Sequence, residues 1–244
     1  MAIAVRQTTL GPLNARVVDD PTRTTPPELV VILCHGYGAP GDDLVDLGAE
    51  LLQQAPALVG RVRFIFPEAP LALDNVPFGG RAWWPIDMLA LQQAIERGEE
   101  RRMADEVPAG LAAARQKLRA LIEAVHVETK LPFNKIVLGG FSQGAMVTTD
   151  AALRLEEAPA ALLVFSGALL DQSEWKKLAG KRAGLKVLQA HGTSDPILPF
   201  NGAVALRDVL KAAGLVVDFH EFRGGHTIDR RSLQAAATLL SSLL

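Results

Sequence analysis

Apolar runs rich in β-branched residues alternate along this chain with segments whose apolar residues recur at helical spacing. Six runs predict strands, at 29–34 (LVVILC), 62–66, 135–141, 161–167, 185–192 and 215–222. Continuous apolar runs of this length are typical of strands that are buried on both faces of a sheet. Helical patterns follow most of them, and this order predicts an α/β fold, a mostly parallel sheet with helices on both faces. In such sheets, ligands bind at the carboxyl ends of the strands.

The other predicted elements complete the alternation. Residues 15–20 are a short strand candidate, and residues 21–28 (PTRTTPPE) predict a turn because their prolines exclude a helix. Helical patterns occur at 42–55, 88–97, 106–128, 144–155 and 228–244. Residues 67–87, rich in Pro and Gly, predict a long loop, and long loops in compact domains tend to be functional. No linker divides the chain, so we expect one domain over residues 1–244.

Composition excludes several classes of partner. The formal net charge of -2 gives no indication of nucleic acid or of an anionic membrane surface. No apolar run is long enough to span a bilayer, and the N-terminus (MAIAVRQTTL) is too polar for a secretory signal. Cys34 is the single cysteine, so an internal disulfide is impossible. We therefore expect a cytoplasmic protein with no nucleic-acid partner and no stable membrane insertion.

A serine between two glycines follows the strand at 135–141. Gly140-Phe141-Ser142-Gln143-Gly144 matches G-x-S-x-G in the context of strand, tight turn and helix, which is typical of the nucleophile elbow of hydrolases. Such a turn holds the serine hydroxyl above the sheet. Glycine is needed at positions 140 and 144, because side chains there would collide with the neighbouring strand and helix. The alternative is a turn serine without chemistry, because short motifs also match by chance.

A serine nucleophile needs a base and a group that orients the base. In hydrolases with such a nucleophile elbow, these partners follow the serine along the chain, first the acid and then the histidine. Asp195 lies in AHGTSDPILP (190–199) after one predicted strand, and His226 lies in RGGHTID (223–229) after the last one. Both would meet Ser142 at one edge of the sheet, and this predicts a catalytic triad of Ser142, Asp195 and His226.

Other residues compete for these roles. His126 falls on a charged helical segment and His220 falls within a strand, so both are poor candidates for the base. His191 is a stronger competitor at a strand end, and we interpret it as a structural support for the loop that follows. Asp195 is also compatible with an ordinary Asp-Pro turn, and Asp218 and Asp229 are lesser rivals for the acid.

A glycine-rich loop, LCHGYGAPGDD (33–43), follows the first buried strand. Hydrolases of this fold take one oxyanion-hole N–H from such a loop and one from the residue after the serine. The predicted donors are therefore the backbone N–H groups of Tyr37 and Gln143. We expect His35 to brace the loop, and Cys34 to be a small core residue rather than a reactive thiol.

Aromatic residues in the long loop suggest an apolar substrate pocket. Phe78, Trp83 and Trp84 are candidates for its lining, and Trp84 and Phe78 are taken as the substrate-binding residues. The alternative is that these rings pack against the core, as buried tryptophans commonly do.

Five motifs together resemble the phospholipase/carboxylesterase family, which includes the acyl-protein thioesterases. They are LCHGYG, GGFSQGAM, FSGAL, AHGTSDPILP and GGHTI, in that order, and the resemblance extends from about residue 29 to the C-terminus. It implies an α/β-hydrolase fold without a large lid domain, hydrolysis of esters or thioesters, and neither a metal nor an organic cofactor. The family's triad carries over to Ser142, Asp195 and His226.

Two segments depart from the pattern of the eukaryotic thioesterases. HGYGAPGDDL is a stretched form of the His-Gly loop with Tyr37 at the donor position, and RAWWPID carries Pro85 and Ile86 before Asp87. These changes leave the acyl-chain preference open. The expected activity is that of a serine carboxylesterase acting on a short- to medium-chain ester or thioester of a small molecule. Alternatives are a lactone or dienelactone hydrolase, a small peptidase, or a silent hydrolase fold that binds ligands. Exposed apolar loops are compatible with a homodimer.

Overall fold

The computed structural model describes residues 4–20, 23–74, 76–99 and 104–244, so part of the predicted turn at 21–28 and residue 75 of the long loop lie outside it. The strands are β1 (Ala4–Leu10), β2 (Leu13–Asp19), β3 (Leu29–Cys34), β4 (Val62–Pro67), β5 (Leu71–Ala72), β6 (Arg81–Ala82), β7 (Ile136–Phe141), β8 (Ala161–Phe165), β9 (Lys186–Gly192) and β10 (Val216–Phe222). The helices are α1 (Val45–Gln54), α2 (Met88–Glu96), α3 (Leu111–Thr129), α4 (Gln143–Arg154), α5 (Gln172–Ala179), α6 (Phe200–Ala212) and α7 (Arg230–Ser241).

Eight strands form the main sheet, in the order β1-β2-β4-β3-β7-β8-β9-β10. From β4 to β10 all neighbours are parallel, whereas β2 pairs antiparallel with both β1 and β4. This is the mostly parallel sheet that the alternating pattern predicts. The carboxyl ends of β3, β7, β8, β9 and β10 all lie at one edge of the sheet, and the loops that follow these strands meet there.

The central strands are apolar throughout because both of their faces are covered. Along β3, Val30, Ile32 and Cys34 join one core cluster, and the alternate residues Leu29, Val31 and Leu33 join the other. This is the two-residue alternation of side chains across a sheet. Residues of α3, α4, α5 and α6 pack in the first cluster, and residues of α1 and α7 pack in the second. Helix α4 lies deepest, with eleven of its 12 residues buried.

Three features differ from the sequence-based expectation. Strand β1 is absent from the predicted elements, because it is a largely exposed edge strand that forms a hairpin with β2 through the turn at Gly11. Helix α3 begins at Leu111, five residues later than predicted, after a left-handed Gly110 (φ 97°). The predicted loop at 67–87 contains the short β5–β6 hairpin, in which Leu71 pairs with Ala82.

Candidate active site

The turn between β7 and α4 holds Ser142 in a strained backbone conformation, with φ 55° and ψ −121°. A residue other than glycine in such a region costs about 1 to 3 kcal/mol, and it persists only where the surroundings enforce it. Here the N–H of Ser142 donates to the carbonyl of Phe165 at 2.9 Å, and its carbonyl accepts from the N–H of Met146 at 3.1 Å. Ser142 is 8% exposed and precedes the first turn of α4.

The glycines on either side of Ser142 make this turn possible. A Cβ atom on Gly144 would lie 2.0 Å from the carbonyl oxygen of Cys34, and one on Gly140 would lie 2.5 Å from that same oxygen. Both positions face the end of the neighbouring strand β3, whose backbone cannot move without disturbing the sheet. Glycine is therefore required at both positions.

Asp195 and His226 are joined directly by a hydrogen bond. Asp195 follows β9 and His226 follows β10, and Nδ1 of His226 lies 2.6 Å from Oδ2 of Asp195. The other carboxylate oxygen, Oδ1, accepts from the backbone N–H groups of Ile197 and Leu198, both at 2.9 Å. The ring of His226 also lies 4.7 Å from the ring of Phe141, the residue before Ser142. The pair therefore sits beside the turn that carries the serine.

The carboxyl group of Asp195 is held in its ionised form. Burial alone would raise its pKa, but the hydrogen bonds from His226, Leu198 and Ile197 outweigh burial and hold the pKa below its ordinary value. Asp195 stays charged at neutral pH and so fixes the proton of His226 on Nδ1. Nε2 of His226 is left as the acceptor that a general base requires.

The rival residues have other partners. His191 is fully buried, and its Nε2 lies 2.8 Å from the carbonyl oxygen of Leu198 and 3.3 Å from Oδ2 of Asp195. It therefore supports the loop that carries Asp195. His220 pairs with Asp218 at 3.0 Å on β10, and Asp229 caps the N-terminus of α7 by accepting from the N–H of Ser232. His126 stacks on Phe133 near the C-terminus of α3.

The glycine-rich loop after β3 packs against the serine turn. A Cβ atom on Gly36 would lie 3.3 Å from Cβ of Ser142, so the loop carrying Tyr37 passes directly beside the serine. Gln143 is the first residue of α4, where backbone N–H groups have no partner within the helix. The backbone N–H groups of Tyr37 and Gln143 thus belong to two segments that flank Ser142.

His35 braces this loop through both ring nitrogens. Nε2 accepts from the N–H of Ala69 at 3.0 Å, and Nδ1 donates to the carbonyl of Gly36 at 2.8 Å. Burial lowers the pKa of His35, which keeps the ring neutral and preserves both hydrogen bonds. His35 has no free nitrogen with which to act as a base.

The side chain of Gln143 joins the serine turn to the long loop. It is fully buried; its Oε1 accepts from the N–H of Trp83 and its Nε2 donates to the carbonyl of Trp84, both at 2.8 Å. Nε1 of Trp83 in turn donates to the carbonyl of His35 at 2.9 Å. The serine turn, the loop after β3 and the long loop are thus held as one unit.

We expect Gln143→Leu to destabilise the protein by about 2 to 5 kcal/mol, because the Trp83 N–H and the Trp84 carbonyl would be buried without partners. Urea denaturation followed by tryptophan fluorescence measures this loss. The matched control is Gln92→Leu, in which an exposed glutamine of α2 loses one hydrogen bond to Glu96 and stability changes little. Equal stability of the two variants would show that the Gln143 side chain does not hold the loop.

The aromatic residues of the long loop fall into two environments. Trp83 and Trp84 are 1% and 2% exposed and belong to the core, as in the packing alternative. Phe78 is 94% exposed, with a left-handed backbone (φ 61°). Its neighbour Gly80 packs against the carbonyl of Gly38, so Phe78 lies on a loop that contacts the loop after β3.

A buried ionic cluster on α4 is absent from the sequence-based expectation. The fully buried carboxylate of Asp150 accepts from Arg115 at 2.6 Å, Arg154 at 2.9 Å and Nε1 of Trp175 at 2.9 Å. Arg154 continues to Asp171 at 3.0 Å. Because Arg115 lies on α3 and Trp175 lies on α5, the cluster fixes α4, the helix that follows Ser142, against its two neighbours. Only the helical spacing of Asp150 and Arg154 is visible in the sequence.

The strand order and the strained serine turn define an α/β-hydrolase fold, and the described residues contain no large lid domain. The chain belongs to the phospholipase/carboxylesterase family, whose model matches residues 15–244. It is 28% identical over 218 residues to acyl-protein thioesterase 1 of Neurospora crassa, covering 88% of this chain and 86% of that protein. It is 30% identical over 188 residues to acyl-protein thioesterase 1 of Eremothecium gossypii, covering 75% and 73%.

Solved structures agree with this assignment. Esterase PE8 superimposes with a TM-score of 0.75 at 26% identity, covering all of both chains. A carboxylesterase from Mesorhizobium loti has a TM-score of 0.71 at 16% identity over 98% of both chains, a likeness of fold alone. The protein is therefore a serine hydrolase of the esterase and thioesterase class. In the described part of the chain, no helix is long and apolar enough to cross a membrane.

Proposed function

We propose that this protein hydrolyses short- to medium-chain carboxylic esters or thioesters through an acyl-enzyme on Ser142, with His226 as the base and Asp195 as its orienting acid. One observation carries the proposal. The strained serine at the end of β7 lies beside a hydrogen-bonded Asp195–His226 pair on the loops after β9 and β10. A nucleophile, a base and an ionised partner that orients the base are what nucleophilic acyl transfer requires.

In the first step, Nε2 of His226 takes the proton of the Ser142 hydroxyl as Oγ attacks the acyl carbonyl. The backbone N–H groups of Tyr37 and Gln143 stabilise the oxyanion that forms on the carbonyl oxygen. His226 then gives its proton to the leaving alcohol or thiol as the carbonyl–oxygen or carbonyl–sulfur bond breaks. The acyl group remains on Oγ of Ser142.

In the second step, a water molecule takes the place of the leaving group. His226 removes its proton as its oxygen attacks the acyl carbonyl, and the same two N–H groups hold the oxyanion. The bond to Oγ breaks, the proton returns to Ser142, and the carboxylic acid leaves. Asp195 remains ionised throughout and stabilises the imidazolium in both halves of the cycle.

Two exposed apolar side chains support a modest acyl length. Phe78 extends from the loop beside Gly38, and Ile197, which is also exposed, follows the Asp195 turn. Together they offer open apolar surface on loops near the reacting groups. Further carbons of a long chain would extend into water and gain no binding energy. Thioesters are included because the relatives named above are acyl-protein thioesterases.

A chain-length series of p-nitrophenyl esters and matched thioesters tests this proposal. We expect kcat/KM to rise about fourfold for each CH₂ that reaches apolar surface, the equivalent of about 0.8 kcal/mol, and then to level off. Phe78→Ala should flatten the rise. Val127→Ala, which removes an exposed apolar side chain from the distant helix α3, is the matched control and should leave it unchanged. Lactones and peptides are assayed beside the series, and hydrolysis of one of these classes with no hydrolysis of any ester or thioester would replace the proposal with that activity.

A further inference from the structure

We propose that Ser166 is a positioning residue for the base, holding the loop that carries His226 through a hydrogen bond from its hydroxyl to the carbonyl of Thr227. This inference rests on the proposed function, since it needs His226 to be the base. Ser166 belongs to the FSGAL motif, to which the reaction described above assigns no role. It touches neither substrate nor reacting atoms, and it acts through His226.

Ser166 directly follows β8, which lies between β7, the strand before Ser142, and β9, the strand before Asp195. It is fully buried, and its N–H donates to the carbonyl of Ala190 on β9 at 2.8 Å. Its φ is 48°, in the left-handed region that favours glycine. A glycine would occupy this position without strain, so the structure retains a strained residue that carries a hydroxyl.

The hydroxyl of Ser166 reaches residues 223–229, the loop between β10 and α7 that carries His226 and is called the base loop below. Its Oγ lies 3.1 Å from the carbonyl oxygen of Thr227, the residue after His226. A carbonyl can only accept, so the hydroxyl is the donor. The hydroxyl of Ser166, which follows β8, thus contacts the loop after β10, past the neighbouring strand β9. Backbone strain of the kind at Ser166 clusters at functional sites, where the surrounding structure maintains it.

Few other hydrogen bonds hold the base loop. Before His226, the carbonyl of Gly224 accepts from the N–H of Ser194 at 3.0 Å, and after it Asp229 caps α7. Between Gly224 and Asp229, the hydrogen bonds made by described residues are those of His226 with Asp195 and of Thr227 with Ser166. The hydrogen bond to Asp195 orients the imidazole of His226, and the hydrogen bond from Ser166 fixes the backbone beside it.

Loss of the hydroxyl should therefore impair the reaction rather than substrate binding. We expect Ser166→Ala and Ser166→Gly each to lower kcat between about 10-fold and about 100-fold with KM unchanged, because small displacements of a base have effects of this size. The low-field proton NMR signal of the His226 Nδ1–H should broaden in both variants. The two variants should differ in melting temperature, since glycine adopts the left-handed backbone without strain.

This pair of variants separates the hydroxyl from the backbone. Both variants lack the hydroxyl, but only Ser166→Gly relieves the backbone strain. Wild-type kcat in Ser166→Gly with a lower kcat in Ser166→Ala would therefore overturn the inference, because backbone strain and not the missing hydroxyl would explain the loss. Lys130→Gly is the control for relief of strain: Lys130 is exposed, has φ 59° and follows α3, so its variant should gain stability without a change in kcat. Wild-type kcat in both Ser166 variants, beside an inactive Ser142→Ala, would end this inference alone. Turnover by Ser142→Ala at the wild-type rate would end the proposed function.

Discussion

Ser142→Ala is expected to lose ester hydrolysis almost completely, with kcat falling on the order of 10⁶-fold. The variant lacks the oxygen that forms the acyl-enzyme, and no other group in the proposed mechanism takes its place. Hydrolysis of p-nitrophenyl butyrate and labelling by a fluorophosphonate probe measure the loss, and both should reach background. Residual hydrolysis would come from the oxyanion hole and substrate binding.

A second variant shows that this loss is chemical and not a failure to fold. Alanine retains Cβ at the strained backbone of Ser142, so Ser142→Ala should melt close to the wild-type temperature. Ser142→Gly should be equally inactive and more stable, because glycine adopts φ 55° and ψ −121° at little cost. Labelling of Ser142→Ala at the wild-type rate would place the nucleophile elsewhere and refute the proposed function.

Asp195→Asn is expected to lower kcat by about 10⁴-fold while the fold remains intact. The structure supplies the reason. Oδ1 of Asp195 accepts from the N–H groups of Ile197 and Leu198, so an asparagine must place its carbonyl oxygen there. Its NH₂ group would then face Nδ1 of His226, which would have to accept. The proton of His226 would move to Nε2, which could no longer receive the proton of Ser142.

Steady-state kinetics between pH 6 and pH 9, with melting temperatures alongside, measure this effect. Asp218→Asn is the matched control, because Asp218 pairs with His220 on an exposed strand and plays no part in the proposed mechanism. Its kcat should equal that of the wild type. If Asp195→Asn retained a tenth or more of the wild-type kcat, Asp195 would not orient the base, and the acid of the triad would have to be sought elsewhere.

Much of the fold could be predicted from local pattern. The runs that form β3 and β7 are apolar because both faces of a central strand are covered, and this leaves a signal within about six residues of sequence. Strand β1 leaves no such signal, because it lies at the edge of the sheet with most of its side chains in water. A polar segment of this kind becomes a strand through its pairing with β2.

The candidate site divides in the same way. Gly140 and Gly144 flank Ser142 within five residues, and the chain order of Asp195 and His226 follows from the topology, so both could be predicted. The role of the Gln143 side chain depends on Trp83, 60 residues away in the chain, and the partner of Ser166 is 61 residues away. Trp84 was a candidate pocket residue in the sequence, and the structure places it in the core.

The amino-acid sequence by itself determined the alternation of strands and helices, the serine turn and the order of the proposed triad. Nearby residues predict each of these features: the hydrophobic period predicts strands and helices, the flanking glycines predict the serine turn, and positions after strands predict the order of the triad. Only the tertiary structure decided that Gln143 joins two loops, that Asp150 anchors the serine helix and that Ser166 reaches the base loop. The partners in these contacts are brought together only when the loops and helices assemble around the sheet. No spacing of nearby residues in the sequence therefore predicts them.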